Sequence, residues 1–431
     1  MWRRSKLQCK YLIIGNSAGA IGAVEAIRKV DSTGAITLVS DEPNHVYSRP
    51  MISHYVQDIA TFDDMLYRPK SFYDDQTVNT LFGKKVIKLQ IDEGKAVLDN
   101  GQEIEHKSLL LATGGKPIIP KIKGLDKKGV HSFTTISDAK AIRERVELPA
   151  TKKAVVLGGG LIGLLAAESL LSRMINVTVV ELSDRLLGPV LDPTASTIMA
   201  RKVEQSGLTV ITGHTISDVL GADEICGVML DDERKIDCEL LILGVGVTPN
   251  TQLALDSDLK VNRGIVVNKR METTTPSVYA CGDCAEPYDF AYDSFRPTPI
   301  WPAAYRSGAV AGSNMAGLER EYDNGTCMNS MDIFDFPVIS VGRFNPREDE
   351  GCEILYRLDE DQSVYRKVVL KENRIIGAIL AGEIEKAGII LSLMKNKVDA
   401  SEFKDSLNHK DFGLAYLPAA IRNKMFGVKK D

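Results

Sequence analysis

Two stretches of the chain share one pattern of apolar and polar positions. Each begins with a short apolar run, continues through a small-residue turn, and ends in a longer segment whose apolar residues recur at helical spacing. The stretches are CKYLIIGNSAGAIGAVEAIRKV (9–30) and KKAVVLGGGLIGLLAAESLLSRM (152–174), followed by the apolar runs AITLVSDE (35–42) and NVTVVELSD (176–184). The pattern predicts strand, turn, helix and strand twice, with about 20 residues between the turn and the acid that ends the second strand.

This repeated pattern is that of a dinucleotide-binding unit. Its first glycine permits the tight turn, the next small residue lets the backbone approach a pyrophosphate, and the third lets the helix pack on the sheet. The helix N-terminus then offers free N–H groups to the phosphates. The second copy carries all three glycines, whereas the first reads Gly15, Ser17 and Ala20. The first copy would be weak support alone, and its pairing with the second strengthens it.

Glu181, at the end of the second copy, bears on the choice of nicotinamide cofactor. A carboxylate at this position pairs with both ribose hydroxyls and repels a 2′-phosphate. Arg185 is the nearby residue that would favour NADP(H) instead. Because no Lys or Arg occupies the positions beside Glu181, we expect NAD(H).

Two further apolar strands end in small-residue turns. They are SLLLATGGKPIIP (108–120) and CELLILGVGVTPNTQL (238–253). Each strand is expected to end, with its turn, at the carboxyl edge of a sheet, where dinucleotides bind. The order of these strands predicts an α/β fold with the second Rossmann-like domain inserted in the first. From about residue 326 the pattern changes to β-hairpins with helices, which predicts a C-terminal α+β domain. The predicted domains are 1–118 with 247–325, then 119–246, then 326–431.

Charge and composition narrow the classes of partner. The formal net charge is −5, and neither sign forms a long run, so the basic footprint of a nucleic-acid-binding protein is missing. No apolar run reaches the ~18–20 residues of a membrane helix, and the opening MWRRSKLQ is expected to lead into a strand. The seven cysteines are odd in number and scattered, unlike a secreted disulfide framework. We therefore expect a cytoplasmic protein with no nucleic-acid or membrane partner.

Two later segments complete a resemblance to a known family. They are NRGIVVNKRMETTTPSVYACGDCAE (262–286) and WPAAYRSGAVAGSNMAG (301–317). With the two glycine turns, they make nearly the whole chain resemble the FAD- and NAD-dependent pyridine nucleotide-disulfide oxidoreductases. Within that family the chain is similar to the branch of rubredoxin reductases, oxygenase-type ferredoxin reductases and the NADH-oxidising part of nitrite reductases. The resemblance implies FAD and NAD(H) as cofactors and no metal.

The resemblance also implies roles for residues by their position. For FAD, the implied contacts are Gly15, Ser17 and Gly19 at the pyrophosphate, Asp41 or Glu42 at the adenosine ribose, Val86 at adenine, Thr113 and Gly114 along the cofactor, and Asp283 at the ribityl or phosphate side. For NADH, they are Gly158, Gly160, Ile162, Gly163, Glu181 and Gly244. In relatives the C-terminal domain covers the flavin, contributes to homo-oligomers or meets a protein partner, and these alternatives stay open.

A helix is expected to begin near Pro302, directly after Trp301. If its N-terminus faces the flavin, its dipole stabilises the reduced, anionic flavin. The alternative is that Trp301 and the helix belong only to the core.

The stretch VYSRPMISHYV (46–56) occupies the place where disulfide reductases of this class carry a redox cysteine. Here it contains Ser48, Arg49 and Pro50 and no thiol, and it resembles the YSRP or YQRP segment of the electron-transfer branch. That resemblance implies that Arg49 contacts the pyrophosphate or ribityl chain and that Pro50 forms a wall against the flavin ring. The alternative is a helix-start proline beside an exposed arginine.

His54 departs from the family pattern. Relatives commonly carry a lysine there, near the flavin N5 atom, and pair it with a glutamate where this chain has Leu165. His54 is therefore a catalytic candidate that could tune or relay a proton at N5. The alternative is a packed, neutral histidine.

Cys281 and Cys284 form a CxxC at a predicted helix start, which is a redox geometry in other proteins. The competing interpretation is small-residue packing within the flavin-binding segment. We expect an NADH-dependent flavoprotein reductase that exchanges single electrons with an iron–sulfur or rubredoxin-type carrier, in either direction. The alternatives are an NADH oxidase, a thiol/disulfide reductase using Cys281 and Cys284, and a flavin-bound subunit without catalytic activity.

Overall fold

A computed structural model describes residues 7–425, so the predicted lead into the first strand is described only from Leu7 onward and its earlier residues lie outside the described range. The helices are α1 Ala18–Val30, α2 Ile52–Gln57, α3 Phe72–Asp75, α4 Ile136–Val146, α5 Leu161–Ser172, α6 Pro193–Gln205, α7 Gln252–Leu255, α8 Trp301–Met315, α9 Ala387–Lys395 and α10 Ala419–Met425.

The strands in the first half of the chain are β1 Leu7–Gln8, β2 Tyr11–Ile14, β3 Ile36–Ser40, β4 Val78–Phe82, β5 Val86–Gln90, β6 Lys95–Leu98, β7 Glu103–Glu105, β8 Ser108–Leu111, β9 Gly115–Pro117, β10 Val130–Ser132, β11 Lys153–Leu157, β12 Asn176–Glu181 and β13 Thr209–Thr212. The remaining strands are β14 Ile216–Leu220, β15 Gly227–Leu230, β16 Lys235–Ile236, β17 Leu240–Leu243, β18 Val247–Pro249, β19 Ile265–Val266, β20 Val278–Ala280, β21 Ala285–Glu286, β22 Tyr288–Asp289, β23 Ser294–Phe295, β24 Met328–Ile333, β25 Phe336–Gly342, β26 Glu353–Asp359, β27 Val364–Lys371 and β28 Arg374–Ala381.

One compact unit contains the chain up to Met51, Ala60–Pro117 and Val247–Cys327. Its main sheet has the strand order β20-β8-β2-β3-β4, and every pairing in it is parallel. The strands β2, β3 and β8 are buried along their whole length, as expected for a parallel sheet covered on both faces. A smaller sheet of β1, β7, β6 and β5 belongs to the same unit.

Helices α1 and α8 of this unit approach each other at the backbone. A Cβ atom on Gly308 would lie 1.9 Å from the carbonyl oxygen of Gly19, and one on Gly22 would lie 2.2 Å from that of Tyr305. Because only glycine leaves room for such an approach, these residues fix the distance between the two helices.

The other unit contains Ile52–Ile59, Ile118–Gly246 and the chain from Met328 onward. It has a parallel sheet in the order β10-β17-β11-β12-β13 and a three-stranded antiparallel sheet, β14-β15-β16. A five-stranded antiparallel sheet, β24-β25-β28-β27-β26, packs with α9. Helix α2 belongs to this unit and packs against α4 and α5.

A buried ion pair joins the parallel and antiparallel parts of the second unit. Asp192 caps α6 by accepting a hydrogen bond from the Ala195 backbone N–H at 2.9 Å. Its other oxygen accepts hydrogen bonds from the Tyr365 hydroxyl at 2.7 Å and the Lys367 ammonium at 3.0 Å. Removing either charge would leave the other buried without its partner, which is strongly destabilising.

The predicted fold class is confirmed: two Rossmann-like domains, the second inserted in the first, and a C-terminal α+β domain. The insertion is visible in the first parallel sheet, because its strands β8 and β20 are neighbours although residues 118–246 separate them in the chain. The predicted boundaries of the three domains stay a prediction. Among the described residues, no helix has both the length and the apolar character needed to cross a membrane.

The close approach of α1 and α8 yields a stability test. We expect Gly308→Ala to lower the free energy of unfolding by roughly 1–3 kcal/mol, because the added methyl meets backbone that cannot move aside. The matched control is Gly388→Ala in α9, where a Cβ atom meets nothing within 4 Å. This control should be neutral or stabilising by roughly 0.5–1 kcal/mol. Urea unfolding of both variants checks the pair, and equal effects would contradict the packing argument.

Candidate functional site

Four parallel strands of the first unit end at one edge of the sheet, and the predicted FAD residues follow those ends. After β2, β3, β8 and β20 come Gly15, Asp41, Thr113 and Asp283. Gly15 has a positive φ of 119°, and a Cβ atom there would lie 2.1 Å from the carbonyl oxygen of Ala112. The turn therefore requires glycine, and it brings the start of α1 to the carboxyl edge of the sheet.

The N-terminus of α1 is open to a ligand. Ser17 is its N-cap in extended conformation, and the Ser17 side chain makes no capping hydrogen bond. Gly19 lies in the first turn, where a Cβ atom would meet the sulfur of Cys281 at 2.8 Å. The first backbone N–H groups of the helix lack a side-chain acceptor, which suits a pyrophosphate.

The acids after β3 differ in their surroundings. Asp41 is exposed, whereas Glu42 is half-buried and accepts a hydrogen bond from the Tyr47 hydroxyl at 2.8 Å. Glu42 also forms an ion pair with Arg49. Arg49 begins a short 3₁₀ turn, and Pro50 beside it is exposed. Arg49 is thus oriented by a carboxylate and is not a free surface side chain.

Asp283 is the acid that the family resemblance assigns to the ribityl or phosphate side of FAD. It lies in a 3₁₀ turn at Gly282–Cys284, and burial raises its pKa to about 6, against the opposing effect of the positive Arg49. A half-buried carboxyl with a raised pKa is stabilised by hydrogen-bond donors. Sugar hydroxyls are such donors, so the site suits the FAD ribityl chain.

Two more predicted residues line this part of the first unit. The Thr113 hydroxyl donates a hydrogen bond to the Asn250 carbonyl at 2.7 Å, and the Asn250 backbone N–H donates to the Gly114 carbonyl at 2.8 Å. Asn250, which the sequence reasoning missed, therefore clamps the turn after β8. Val86 begins β5 and is buried.

The start of α8 is held by aromatic and charged side chains. The Trp301 ring meets the Tyr67 ring edge-on, with 5.0 Å between the two centroids. The Arg68 guanidinium lies over the Tyr67 ring, 4.2 Å from its centroid. Arg68 also pairs with Glu25 at 2.7 Å. Trp301 is half-buried and Pro302 is exposed, so this helix start is not wholly core.

The two cysteines of the CxxC are packed inside the first unit. Both are free thiols with no exposed surface. Cys284 Sγ lies 3.4 Å from the Leu111 carbonyl oxygen and 3.2 Å from that of Cys281. Burial raises the pKa of both thiols, that of Cys281 well above its usual value. Because the thiolate is the reactive form, these surroundings favour the packing interpretation.

The second glycine turn has the same construction in the other unit. Gly158 has a φ of 109°, and a Cβ atom there would lie 2.5 Å from the carbonyl oxygen of Gly244. A Cβ atom on Gly163 would lie 1.9 Å from the Gly158 carbonyl oxygen. Gly160 caps α5, and nothing lies within 4 Å of its missing Cβ. Ile162 is half-buried in the first turn of α5.

Glu181 closes this second turn. Its carboxylate accepts hydrogen bonds from the Gly159 backbone N–H at 2.6 Å and the Ser183 backbone N–H at 2.7 Å. Arg185 is paired with Asp184 at 2.9 Å. The acid is therefore held beside the glycine turn, where it can accept hydrogen bonds from ribose hydroxyls.

The open helix N-termini, the tight glycine turns and the placed acids fit one dinucleotide in each unit. Gly15, Ser17, Gly19, Thr113, Gly114 and Asp283 would hold FAD, and Gly158, Gly160, Gly163, Glu181 and Gly244 would hold NAD(H).

His54 lies in α2 of the second unit and is exposed. The exposed ring differs from the packed, neutral histidine that was the alternative. Leu165 is half-buried on α5, and Glu168 follows one helical turn later. Burial raises the pKa of Glu168, while nearby His54 lowers it. Sequence reasoning missed Glu168, although residues three apart share a helix face and this rule could have found it.

One further group could hold a metal ion among the described residues. The ligand atoms of His214, Asp231 and Asp232 lie within 4.8 Å of one another. Asp231 and Asp232 are exposed, and Arg234 already pairs with Asp232 at 2.6 Å. The group lies on the three-stranded sheet and contains none of the predicted cofactor residues.

Comparison with known families identifies two matching regions. The family described as pyridine nucleotide-disulphide oxidoreductase matches residues 9–308. The family described as rubredoxin NAD+ reductase C-terminal domain matches residues 328–398.

Individual relatives are similar over much of the chain. The nitrite reductase [NAD(P)H] of Bacillus subtilis (strain 168) is 32% identical over 91% of this chain. The matched region is only 48% of the length of that nitrite reductase. The rubredoxin-NAD(+) reductase of Pseudomonas putida is 28% identical over 64% of this chain and 71% of its own. The crystal structure of the ferredoxin reductase for the CYP199A2 system of Rhodopseudomonas palustris superposes with a TM-score of 0.83. It is 24% identical and covers 90% of this chain and 94% of its own.

The raised pKa of Asp283 predicts a pH-dependent stability of the protein without cofactors. The pKa is 3.8 in the unfolded reference and about 6 in the fold, so the stability that Asp283 contributes is present below pH 4 and is lost as the pH rises through 6. We expect the stability of Asp283→Asn relative to wild type to rise by on the order of 2 kcal/mol between pH 4 and pH 7. Urea unfolding at several pH values measures it.

The control for this measurement is Asp41→Asn, which removes an exposed acid near the same arginine. It measures the effect of losing an acid near Arg49 without changing Asp283. A constant difference between Asp283→Asn and wild type over this pH range would show that Asp283 does not titrate as described.

Proposed function

We propose that this chain oxidises NADH and exchanges the electrons one at a time with an iron–sulfur or rubredoxin-type protein. The starting point is that the chain belongs to the pyridine nucleotide-disulphide oxidoreductase family. The predicted family and the predicted cofactors, FAD and NAD(H), are confirmed by this membership. The chain is thus an NAD(H)-dependent flavoprotein oxidoreductase. The electron carrier and the direction of electron flow are the proposed part.

The observation that carries the proposal is the state of the thiols. The stretch 46–56 contains no cysteine. Cys281 and Cys284 have no exposed surface, and burial raises the pKa of both. A disulfide or peroxide reductase needs an accessible, ionisable thiol. Because neither the stretch 46–56 nor the CxxC offers such a thiol, electron transfer to a protein carrier is the hypothesis that we favour.

FAD, when bound, accepts a hydride from NADH and can release the electrons singly. The chain's part is to bind and orient. In the proposal, the N-terminus of α1 and Arg49 hold the FAD pyrophosphate, and Asp283 accepts a hydrogen bond from the ribityl chain. Pro50 and Trp301 exclude water from the flavin ring.

On the nicotinamide side, the N-terminus of α5 holds the NADH pyrophosphate in this proposal. Glu181 accepts hydrogen bonds from the ribose and disfavours a 2′-phosphate by repulsion. His54 holds or moves a proton at the flavin N5 atom. The exposed ring of His54 is compatible with that role.

The carrier is proposed from the relatives. The matched C-terminal region is named for rubredoxin NAD+ reductase, and one relative carries that name as a whole. The nitrite reductase relative is about twice the length that this chain spans. Its complete activity is therefore not transferred to this chain.

The central test is anaerobic stopped-flow mixing of the FAD-loaded protein with NADH. We expect bleaching of the flavin absorbance at a catalytic rate. When the reduced protein is then mixed with an oxidised rubredoxin or [2Fe–2S] ferredoxin, the flavin should pass its electrons to that carrier. The double variant Cys281→Ser, Cys284→Ser should show both rates unchanged, because neither thiol takes part.

Each contrary result points to a different activity. No bleaching by NADH would contradict the enzymatic proposal and favour a flavin-bound subunit without catalysis. A collapse of turnover in the double serine variant, with reduction of a disulfide by wild type, would favour the thiol enzyme. Rapid oxygen consumption without any benefit from a protein carrier would favour an NADH oxidase.

The cofactor preference has a separate test at Glu181. We expect Glu181→Gln to weaken NADH binding by about tenfold and to narrow the preference over NADPH. Glutamine keeps an acceptor for the Gly159 N–H but removes the charge that repels a 2′-phosphate. Titration with both nucleotides measures the ratio, with Asp184→Asn as the control. If the native protein already prefers NADPH, the argument from the ribose is wrong.

A further inference from the structure

The side chain of Asn16 joins the first glycine turn to a later segment of the same unit. Asn16 lies between Gly15 and Ser17, in the turn whose backbone is proposed to hold the FAD pyrophosphate. Its side-chain amide N–H donates a hydrogen bond to the Asn44 carbonyl oxygen at 3.1 Å. The turn is thereby tied to the chain 28 residues further along, just before the stretch 46–56.

Tyr73 fixes the orientation of this amide. Its hydroxyl donates a hydrogen bond to the side-chain carbonyl oxygen of Asn16 at 2.5 Å. Because a carboxamide accepts at its oxygen and donates at its nitrogen, the bonds to Tyr73 and Asn44 together select one orientation of the Asn16 side chain. An amide turned the other way would place its oxygen against the Asn44 carbonyl oxygen.

The Tyr73 ring is held in place independently of its hydroxyl. Tyr73 lies in α3 and is buried, and its ring meets the His45 ring at 4.8 Å and the Phe82 ring at 5.4 Å between centroids, both edge-on. Burial also raises the pKa of the Tyr73 hydroxyl, which keeps that hydroxyl protonated as a donor. The substitution Tyr73→Phe therefore removes the hydrogen bond and leaves the ring packing unchanged.

The segment 44–49, which Asn16 holds at its first residue, also carries Arg49. Within this segment Tyr47 is buried and donates a hydrogen bond to Glu42 at 2.8 Å. Arg49 forms an ion pair with the same carboxylate. The glycine turn and Arg49 are the two groups proposed to hold the FAD pyrophosphate, and the Asn16 side chain is a direct link between the turn and this segment.

We propose that Tyr73 is a positioning residue for FAD: through the Asn16 amide, it holds the glycine turn and the segment 44–49 at the spacing that the pyrophosphate of FAD requires. Neither side chain needs to contact the cofactor. A site that is ordered before the cofactor arrives binds it more tightly, because less conformational freedom is lost on binding. The inference rests on the proposed placement of FAD at this turn and is independent of the electron carrier.

The test is a double-variant cycle on the affinity of the cofactor-free protein for FAD, measured by titration of the flavin fluorescence. Tyr73→Phe should weaken FAD binding about fivefold, the effect of one neutral hydrogen bond. Asn16→Ala should weaken it at least as much, since it also removes the bond to Asn44. The double variant should bind FAD no more weakly than Asn16→Ala alone, because the Tyr73 hydroxyl acts only through Asn16.

Tyr11→Phe is the matched control. Tyr11 is another buried tyrosine of the first unit, and its hydroxyl donates a hydrogen bond to Asp31 at 2.8 Å. Tyr11 begins β2, and the other end of this strand leads into the glycine turn. Because the control removes a hydroxyl hydrogen bond at the far end of the strand, we expect lower stability in urea and an unchanged affinity for FAD.

Hydrogen exchange of the cofactor-free protein supplies a second readout. The Ser48 backbone N–H, which donates to the Met65 carbonyl oxygen at 2.8 Å, should exchange faster in Tyr73→Phe than in wild type or Tyr11→Phe. This comparison, with the FAD affinity of Tyr73→Phe, keeps the test decisive even if Asn16→Ala does not fold.

Three results would each overturn the inference. They are an FAD affinity in Tyr73→Phe that is unchanged or falls no further than in Tyr11→Phe, additive losses in the double variant, and equal exchange at Ser48 in Tyr73→Phe and wild type. None of these measurements uses NADH or a carrier. If NADH does not reduce the flavin of wild type, the proposed function fails, while the cycle still decides whether Tyr73 positions the FAD site.

Discussion

The contact of glycine backbone with a neighbouring strand is the constraint on which the rest of this structure depends. A side chain at Gly15 or Gly158 would collide with the carbonyl oxygen of Ala112 or Gly244. Because both turns are this tight, the helices that follow them begin at the carboxyl edges of their sheets. The same requirement recurs between α1 and α8, where Gly308 touches the Gly19 carbonyl. Both proposed nucleotide sites therefore depend on glycines, whose missing side chains allow the close backbone contacts.

Burial then determines which polar groups remain available for chemistry. The thiols of the CxxC are enclosed and held in their protonated form, whereas Asp283 and Glu168 are carboxyls whose pKa values burial has raised. In the function proposed above, the thiols take no part and the cofactor carries the electrons. The buried, protonated thiols are the reason why we propose a protein carrier, and not the chain's own sulfur, as the electron acceptor.

Local spacing made much of this predictable. The two glycine turns and the acid after each second strand follow from patterns of about 30 residues. The insertion of one Rossmann-like domain in the other follows from the order of such patterns along the chain. Asn250 and Tyr67 could not be found that way, because each acts on a residue far away in the chain. The position of Glu168 on its helix face could be predicted from local spacing, but its contact with the Phe334 turn, 166 residues further along, could not.

The order of strands in the first parallel sheet also has a consequence for biosynthesis. The sheet's strand β20 and the helix α8 that locks onto α1 are contributed by residues 278–315, after the whole inserted segment. The five strands of the inserted parallel sheet, by contrast, are complete once residue 243 has been made. On the ribosome, the inserted nucleotide fold can therefore assemble while the fold that surrounds it still waits for its last strand.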